Sequence, residues 1–190
     1  MRADIALEGV RPHLTKERFE HTIRVAETAV RLAGLYNVSK EKCELAAIFH
    51  DYAKYRPLDE MEHWIKNTSL SDELLNYHHE LWHGPVGAIL VEKEFGIQDT
   101  AIKAAIQYHT TGKANMSKME MVVFLADYIE PGRSFPGIEK VRDMSEKNLV
   151  KACWMALRNT ILFLIEKKAT IYPDTFHAYN DFTKRIIGGN

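Results

Sequence analysis

Two histidines and two aspartates could do chemistry together: His21, the adjacent pair His50-Asp51, and Asp127. Imidazole nitrogen with carboxylate oxygen is a mixed donor set. It suits Fe(II), Mn(II) or another borderline divalent ion better than an ion that seeks thiolates. Four such ligands on a six-coordinate ion leave positions for water and substrate. Water on such an ion becomes acidic enough to attack phosphorus near neutral pH. With nine histidines in 190 residues, one His-Asp dipeptide carries little weight alone. The elements that must position these residues decide the matter.

Ser39 offers an N-cap for a helix in which Cys43, Ala46, Ala47 and His50 recur at i, i+3, i+4 and i+7, so His50 continues a buried face and Asp51 follows it. An unpaired carboxylate there is strongly unfavourable. Asp127 is the one charge in Met121–Ile129, a segment apolar on all sides and therefore central. Its helix opens on a Ser117-to-Glu120 capping box. His21 lies off the centre of the stripe Phe19, Ile23, Ala26, Val30 and Ala33 in a helix capped by Thr15, and by itself reads as a rim histidine. A second apolar face, Ile102, Ala105 and Ile106 after a cap at Asp99 or Thr100, ends on His109. Pro85 reads as the first residue of a helix that stops at Gly96, which puts His83 just before a helix N-terminus, a place that suits anions.

The remaining segments also carry helical periodicity. A short helix covers Ala3 to Val10, and one or two lie between Leu58 and Asn76. Another spans Ile138 to Met144. A long one from Ser145 presents Leu149, Cys153, Leu157, Ile161, Leu164 and Ile165 for packing. A last helix follows a cap at Asp174 or Thr175, and Gly188-Gly189-Asn190 reads as a frayed end. No convincing alternating stretch occurs, so the expected class is all-α.

The length suits one domain, since domains run roughly 50–250 residues. A net charge of −1 provides no electrostatic footprint for nucleic acid or an anionic membrane. Cys43 and Cys153 sit in apolar helical patterns and read as small buried hydrophobes, not as a disulfide or thiolate site. The longest apolar run, Met121 to Ala126, is far short of the roughly 20 residues that span a bilayer. No signal peptide is visible, and a cytoplasmic location is expected. A homodimer is left open, because periodicity locates no patch for it.

The pattern closely resembles the HD-domain superfamily of metal-dependent phosphohydrolases, whose signature H…HD…D is met by His21, His50-Asp51 and Asp127, each expected on a helix. The runs Arg18 to Thr22, Ala46 to Lys54, His83 to Pro85, His109 to Gly112, Ala126 to Arg133 and Ile171 to Pro173 together look like the bacterial YqeK family of symmetrical diadenosine tetraphosphate hydrolases. The resemblance spans almost the whole chain. It implies one HD domain over residues 1–190, a helical bundle with its metal site at the centre, a metal-binding core at about 15–133 and supporting helices at 134–190. It also implies that a metal-activated water splits the tetraphosphate bridge in the middle, giving two ADP. Iron is the implied metal, with manganese, cobalt or another divalent ion as alternatives.

By the same resemblance His21, His50, Asp51 and Asp127 are ligands. Arg18, His83, His109, Thr110, Arg133 and the segment Tyr172, Pro173, Asp174, Thr175, Phe176 and His177 would contact the nucleotide. His83 and His109 could donate to phosphate, protonate the leaving group or ligate a second metal. Tyr172 and Phe176 could stack on a base or pack in the core. Lys54 could orient phosphate, pair with Asp51 or lie exposed at a helix end. Two rivals remain: another HD nucleotide phosphohydrolase, such as a nucleotidase or deoxynucleotide triphosphohydrolase, and a nucleotide-binding sensor without turnover.

Overall fold

A computed structural model describes residues 1–188. The frayed end expected at Gly189 and Asn190 lies outside them. Ten α-helices are joined by turns and three short 3-10 helices, with no strand among the described residues. They are α1 Ala3–Val10, α2 Lys16–Leu35, α3 Lys40–Phe49, α4 Leu58–Lys66, α5 His83–Phe95, α6 Thr100–Gln107, α7 Lys118–Ile129, α8 Ile138–Ser145, α9 Leu149–Glu166 and α10 Pro173–Ile187. The 3-10 helices are Arg11–His13, Asp72–Asn76 and His79–Leu81. Among the described residues, no helix is long and apolar enough to cross a membrane.

Four of the expected caps are in place. Thr15, Ser39 and Asp99 accept backbone N–H groups at the starts of α2, α3 and α6, and Ser117 and Glu120 close the capping box of α7. Gly96 ends α5 at φ +69°, a left-handed conformation that costs a glycine little. Helix α7 is the hub. Val122, Val123, Leu125 and Ala126 are fully buried, and α7 packs against α2, α3, α6 and α9. Helices α2, α3 and α6 surround it and carry or precede the residues of interest.

Several boundaries differ from expectation. Helix α5 begins two residues earlier, at His83, so His83 is its first residue and not the residue before it. Ser145 closes α8, and Asn148 caps α9 through its side chain. At α10 neither Asp174 nor Thr175 caps. Tyr172 holds that position without a side-chain hydrogen bond, and Pro173 supplies the preset φ of the first turn. In α9 the apolar stripe is buried only as far as Leu157. Its last turns leave Ile161 and Leu164 half-buried and Leu162, Phe163 and Ile165 exposed.

One close approach controls the site. A Cβ on Gly84 would lie 2.8 Å from the carbonyl oxygen of Gln107 and 3.3 Å from that of Ile106. The start of α5 therefore sits directly on the end of α6, and this brings His83 beside His109. Gly84→Ala should overpack the junction and cost about 1–3 kcal/mol, read as a lower urea midpoint, with a parallel drop in bound metal. An unchanged midpoint would show that the two helices can separate freely.

Candidate metal centre

Six side chains converge between α2, the end of α3, the start of α5, the end of α6 and α7. His50 follows α3 directly, and Asp51 lies in the turn after it, so this pair stands past the helix end and not within a helix as expected. His21 Nε2 lies 3.0 Å from Asp127 Oδ1 and 3.7 Å from Asp51 Oδ2. His50 Nε2 lies 3.1 Å from Asp51 Oδ2 and 3.8 Å from Asp127 Oδ1. Despite these short separations, both Nε2 atoms are buried without an aligned hydrogen-bond partner. Donor atoms this close yet not aimed at one another fit a common cation between them. Ligand atoms of His21, His50 and Asp127 all fall within 4.8 Å of each other, as do those of His50, Asp51 and His109.

The other ring nitrogen explains the orientation. Nδ1 of His50, His83 and His109 each lies against the carbonyl three residues earlier, that of Ala47 at 2.6 Å, Glu80 at 2.7 Å and Ile106 at 2.7 Å. Those carbonyls lie in the last turns of α3, the 3-10 helix His79–Leu81 and α6, where helices leave acceptors free. His21 sits inside α2, where nearby carbonyls are already taken, and its Nδ1 lies 3.1 Å from Glu130 Oε1 instead. In every case the acceptor draws the ring proton to Nδ1 and turns the Nε2 lone pair inward, which is how histidines are set as metal ligands.

His83 Nε2 and His109 Nε2 face each other at 3.0 Å, and Asp51 Oδ1 is 3.1 Å from the first and 3.9 Å from the second. Two lone pairs at that distance require a proton or a cation between them. Thr110 adds its hydroxyl 3.0 Å from His109 Nε2.

Charge is arranged to match. Burial works against ionised carboxylates at Asp51 and Asp127, yet the surrounding histidines, with Arg133 beside Asp127, outweigh it and hold both well below the usual range. Burial likewise disfavours a charged His50, but Asp51 and Asp127 overcome it and raise its pKa. His109, buried beside His50 and His83, is pushed down to about 3. Each carboxylate also has an arginine on its outer side. Arg18 Nη1 donates to Asp51 at 2.9 Å, Arg133 Nη2 to Asp127 at 2.6 Å and Arg24 Nε to Glu130 at 2.6 Å.

The remaining expected site residues fall around this centre unequally. Lys54 donates to Glu80 at 2.6 Å and not to Asp51. Tyr172 and Asp174 line a cavity of about 340 Å³ with Pro85, Tyr108 and Thr111. Tyr172 packs edge-on against Tyr77 there. Thr175 is buried, Phe176 and His177 are exposed and Pro173 is half-buried.

Glu130 and Arg24 were missed. Glu130 is buried, holds His21 and accepts the Gly132 N–H at 2.6 Å. Its one sequence signal is a carboxylate placed between the apolar end of α7 and Pro131.

The HD domain family model matches residues 18–132. A symmetrical bis(5'-nucleosyl)-tetraphosphatase of Halalkalibacterium halodurans is 51% identical over 175 residues, covering 92% of this chain and 94% of its own. The enzyme of the same name from Bacillus subtilis is 46% identical over 180 residues, covering 95% and 97%. A crystal structure from Clostridium acetobutylicum, described as a predicted HD superfamily hydrolase involved in NAD metabolism, aligns with a TM-score of 0.90 at 38% identity, covering 96% of this chain and 97% of its own.

Glu130→Gln should leave the fold intact while loosening His21. Loss of such an outer partner weakens metal binding about 10- to 100-fold, which a metal titration monitored by calorimetry would read. Unchanged affinity would remove Glu130 from the site.

Proposed function

The chain belongs to the HD domain family, and from that premise we propose that it is a metal-dependent hydrolase that cuts diadenosine tetraphosphate symmetrically into two molecules of ADP. The hydrolytic chemistry is carried by one observation, the two buried Nε2 atoms of His21 and His50 that lie close to Asp51 and Asp127 without an aligned hydrogen bond to either. The substrate follows from the relatives at 46% and 51% identity that bear that activity in their names.

His21, His50, Asp51 and Asp127 hold the first ion in this reading. Iron is the proposed occupant because the resemblance to the diadenosine tetraphosphate hydrolase family implies it; the mixed nitrogen and oxygen set would take iron, manganese or cobalt alike. When bound, a divalent ion supplies Lewis-acid polarisation of phosphate and an acidified water.

Asp51 presents Oδ2 to His21 and His50 and Oδ1 to His83 and His109. We assign the latter pair to a second cation position sharing this carboxylate. Their Nδ1 atoms are held by backbone carbonyls, as that of His50 is, which leaves both Nε2 atoms facing Asp51 Oδ1. Arg18 and Arg133 touch Asp51 and Asp127 with only part of their guanidinium groups. Their remaining N–H donors, at the accessible rim, are left for phosphate oxygens. In the cavity beside Tyr108, the Tyr172 ring offers a wall and the Asp174 carboxylate an acceptor for the exocyclic amine of adenine. A cytoplasmic setting belongs to the same proposal, given a nucleotide substrate and two unpaired buried cysteines.

Metal-loaded protein should convert diadenosine tetraphosphate to ADP alone on chromatographic product analysis. ATP with AMP would contradict symmetrical cutting. Asp127→Ala should lower activity by at least about 100-fold together with metal content, and stoichiometric metal in that variant would break the ligand set. His83→Ala should carry one ion fewer per chain than the parent. An equal count would return His83 to proton transfer or phosphate contact.

A further inference from the structure

A cut at the midpoint of diadenosine tetraphosphate leaves identical arms, an adenosine with two phosphates, on either side of the reacting bond. The protein must therefore receive two nucleosides on two flanks. Asp51 divides the centre into such flanks. Its Oδ1 faces His83 and His109, the residues next to the cavity lined by Pro85, Tyr108, Thr111, Tyr172 and Asp174. Its Oδ2 faces Arg18, His21 and His50. On this second flank lies a recess of about 200 Å³, lined by Arg18, His21, Tyr55, Glu130 and Arg133 among others, which shares no residue with the first cavity.

Tyr55 is the aromatic of that recess. It is 52% exposed, unusual for a large apolar ring close to a buried charge cluster. The backbone on either side of it is held by the tight turns after α3, in which the backbone N–H of Lys54 donates to the Asp51 carbonyl at 2.9 Å and that of Arg56 to the Ala53 carbonyl at 3.1 Å. Its hydroxyl is one of the groups that favour the charged Arg18 guanidinium. An exposed ring lining the same recess as two arginines is the combination that binds a base and the phosphates attached to it, by stacking and by charge-assisted hydrogen bonds. Nothing in the proposed ligand set or the first cavity uses this ring.

A third recess, of about 150 Å³, is lined by Lys54, Arg56, Leu58, Met61, His79, Glu80 and His83. It adjoins His83, and so lies on the same flank of Asp51 as the first cavity. Its cations are engaged, Lys54 by Glu80 and Arg56 by Glu60 and Glu94.

We infer that Tyr55 is the stacking platform for the second adenosine, with Arg18 and Arg133 taking its phosphates, so that Tyr55 determines the preference for a dinucleoside over a mononucleoside polyphosphate. This rests on the hydrolase reading above.

The test compares diadenosine tetraphosphate with adenosine 5'-tetraphosphate, which lacks the second nucleoside, on metal-loaded parent, Tyr55→Ala and Tyr55→Phe. Loss of one stacked base should raise KM for the dinucleoside about 5- to 100-fold in Tyr55→Ala. The effect on the mononucleoside should be smaller and kcat nearly unchanged, so the preference collapses. Tyr55→Phe, which keeps the ring, should restore it, and metal content should be equal in all three. A parent that makes no ADP from diadenosine tetraphosphate would defeat the hydrolase reading itself. A parent that does, with the same preference in Tyr55→Ala, would overturn the role of Tyr55. A Leu58→Ala variant that alone shifts the preference would move the second arm to the third recess.

Discussion

Two carboxylates withdrawn from bulk water, Asp51 buried and Asp127 half-buried, are the constraint on which the rest of the structure depends. Burying an ionised group without compensation is prohibitive, and removing one partner of a buried pair costs about 3–5 kcal/mol. The chain answers from both sides. Outside, Arg18 pairs with Asp51 and Arg133 with Asp127, while Arg24 serves the nearby Glu130. Inside, the imidazole Nε2 atoms converge on the same oxygens. The arginines thus keep the carboxylates charged and oriented, and the inner faces are left for a cation and the phosphates it attracts.

The imidazoles reach that arrangement by two routes. Where a histidine directly follows or closely succeeds a helical turn, the free carbonyl three residues back orients it, as for His50, His83 and His109. Within α2 no such carbonyl is free, so His21 depends on Glu130 from the far end of α7. This makes the α2–α7 contact part of the chemistry. The α5–α6 contact at Gly84 is the other such junction, since the His83–His109 separation is set there and not by either helix alone. Packing and site geometry are one problem in this fold.

Much of this was legible in the sequence for a local reason. Caps and boxes such as Ser39, Asp99 and Ser117 with Glu120 are short-range devices. A carboxylate in an otherwise apolar helix, such as Asp127, signals a partner wherever the helix packs. What was not legible depends on contacts distant in sequence. Glu130 gains its role only by meeting His21, 109 positions away. Lys54 meets Glu80 only because the loop before α5 folds back to it, a contact that local sequence around Lys54 does not carry. The end of α9 reads as a packing stripe through Ile165, but Ile161 and Leu164 are only half-buried and Ile165 is exposed, and periodicity cannot say where a partner helix stops. At α10 the proline supplies the start that a polar cap was expected to provide.

The central claim is that a metal ion occupies the point where the Nε2 atoms of His21 and His50 meet the carboxylates of Asp51 and Asp127. Anomalous X-ray scattering measured at the iron absorption edge on crystals of the active, iron-loaded protein tests it most directly. The account predicts a strong peak among those four side chains. Active crystals with no peak there, or with their only peak elsewhere in the molecule, would contradict it.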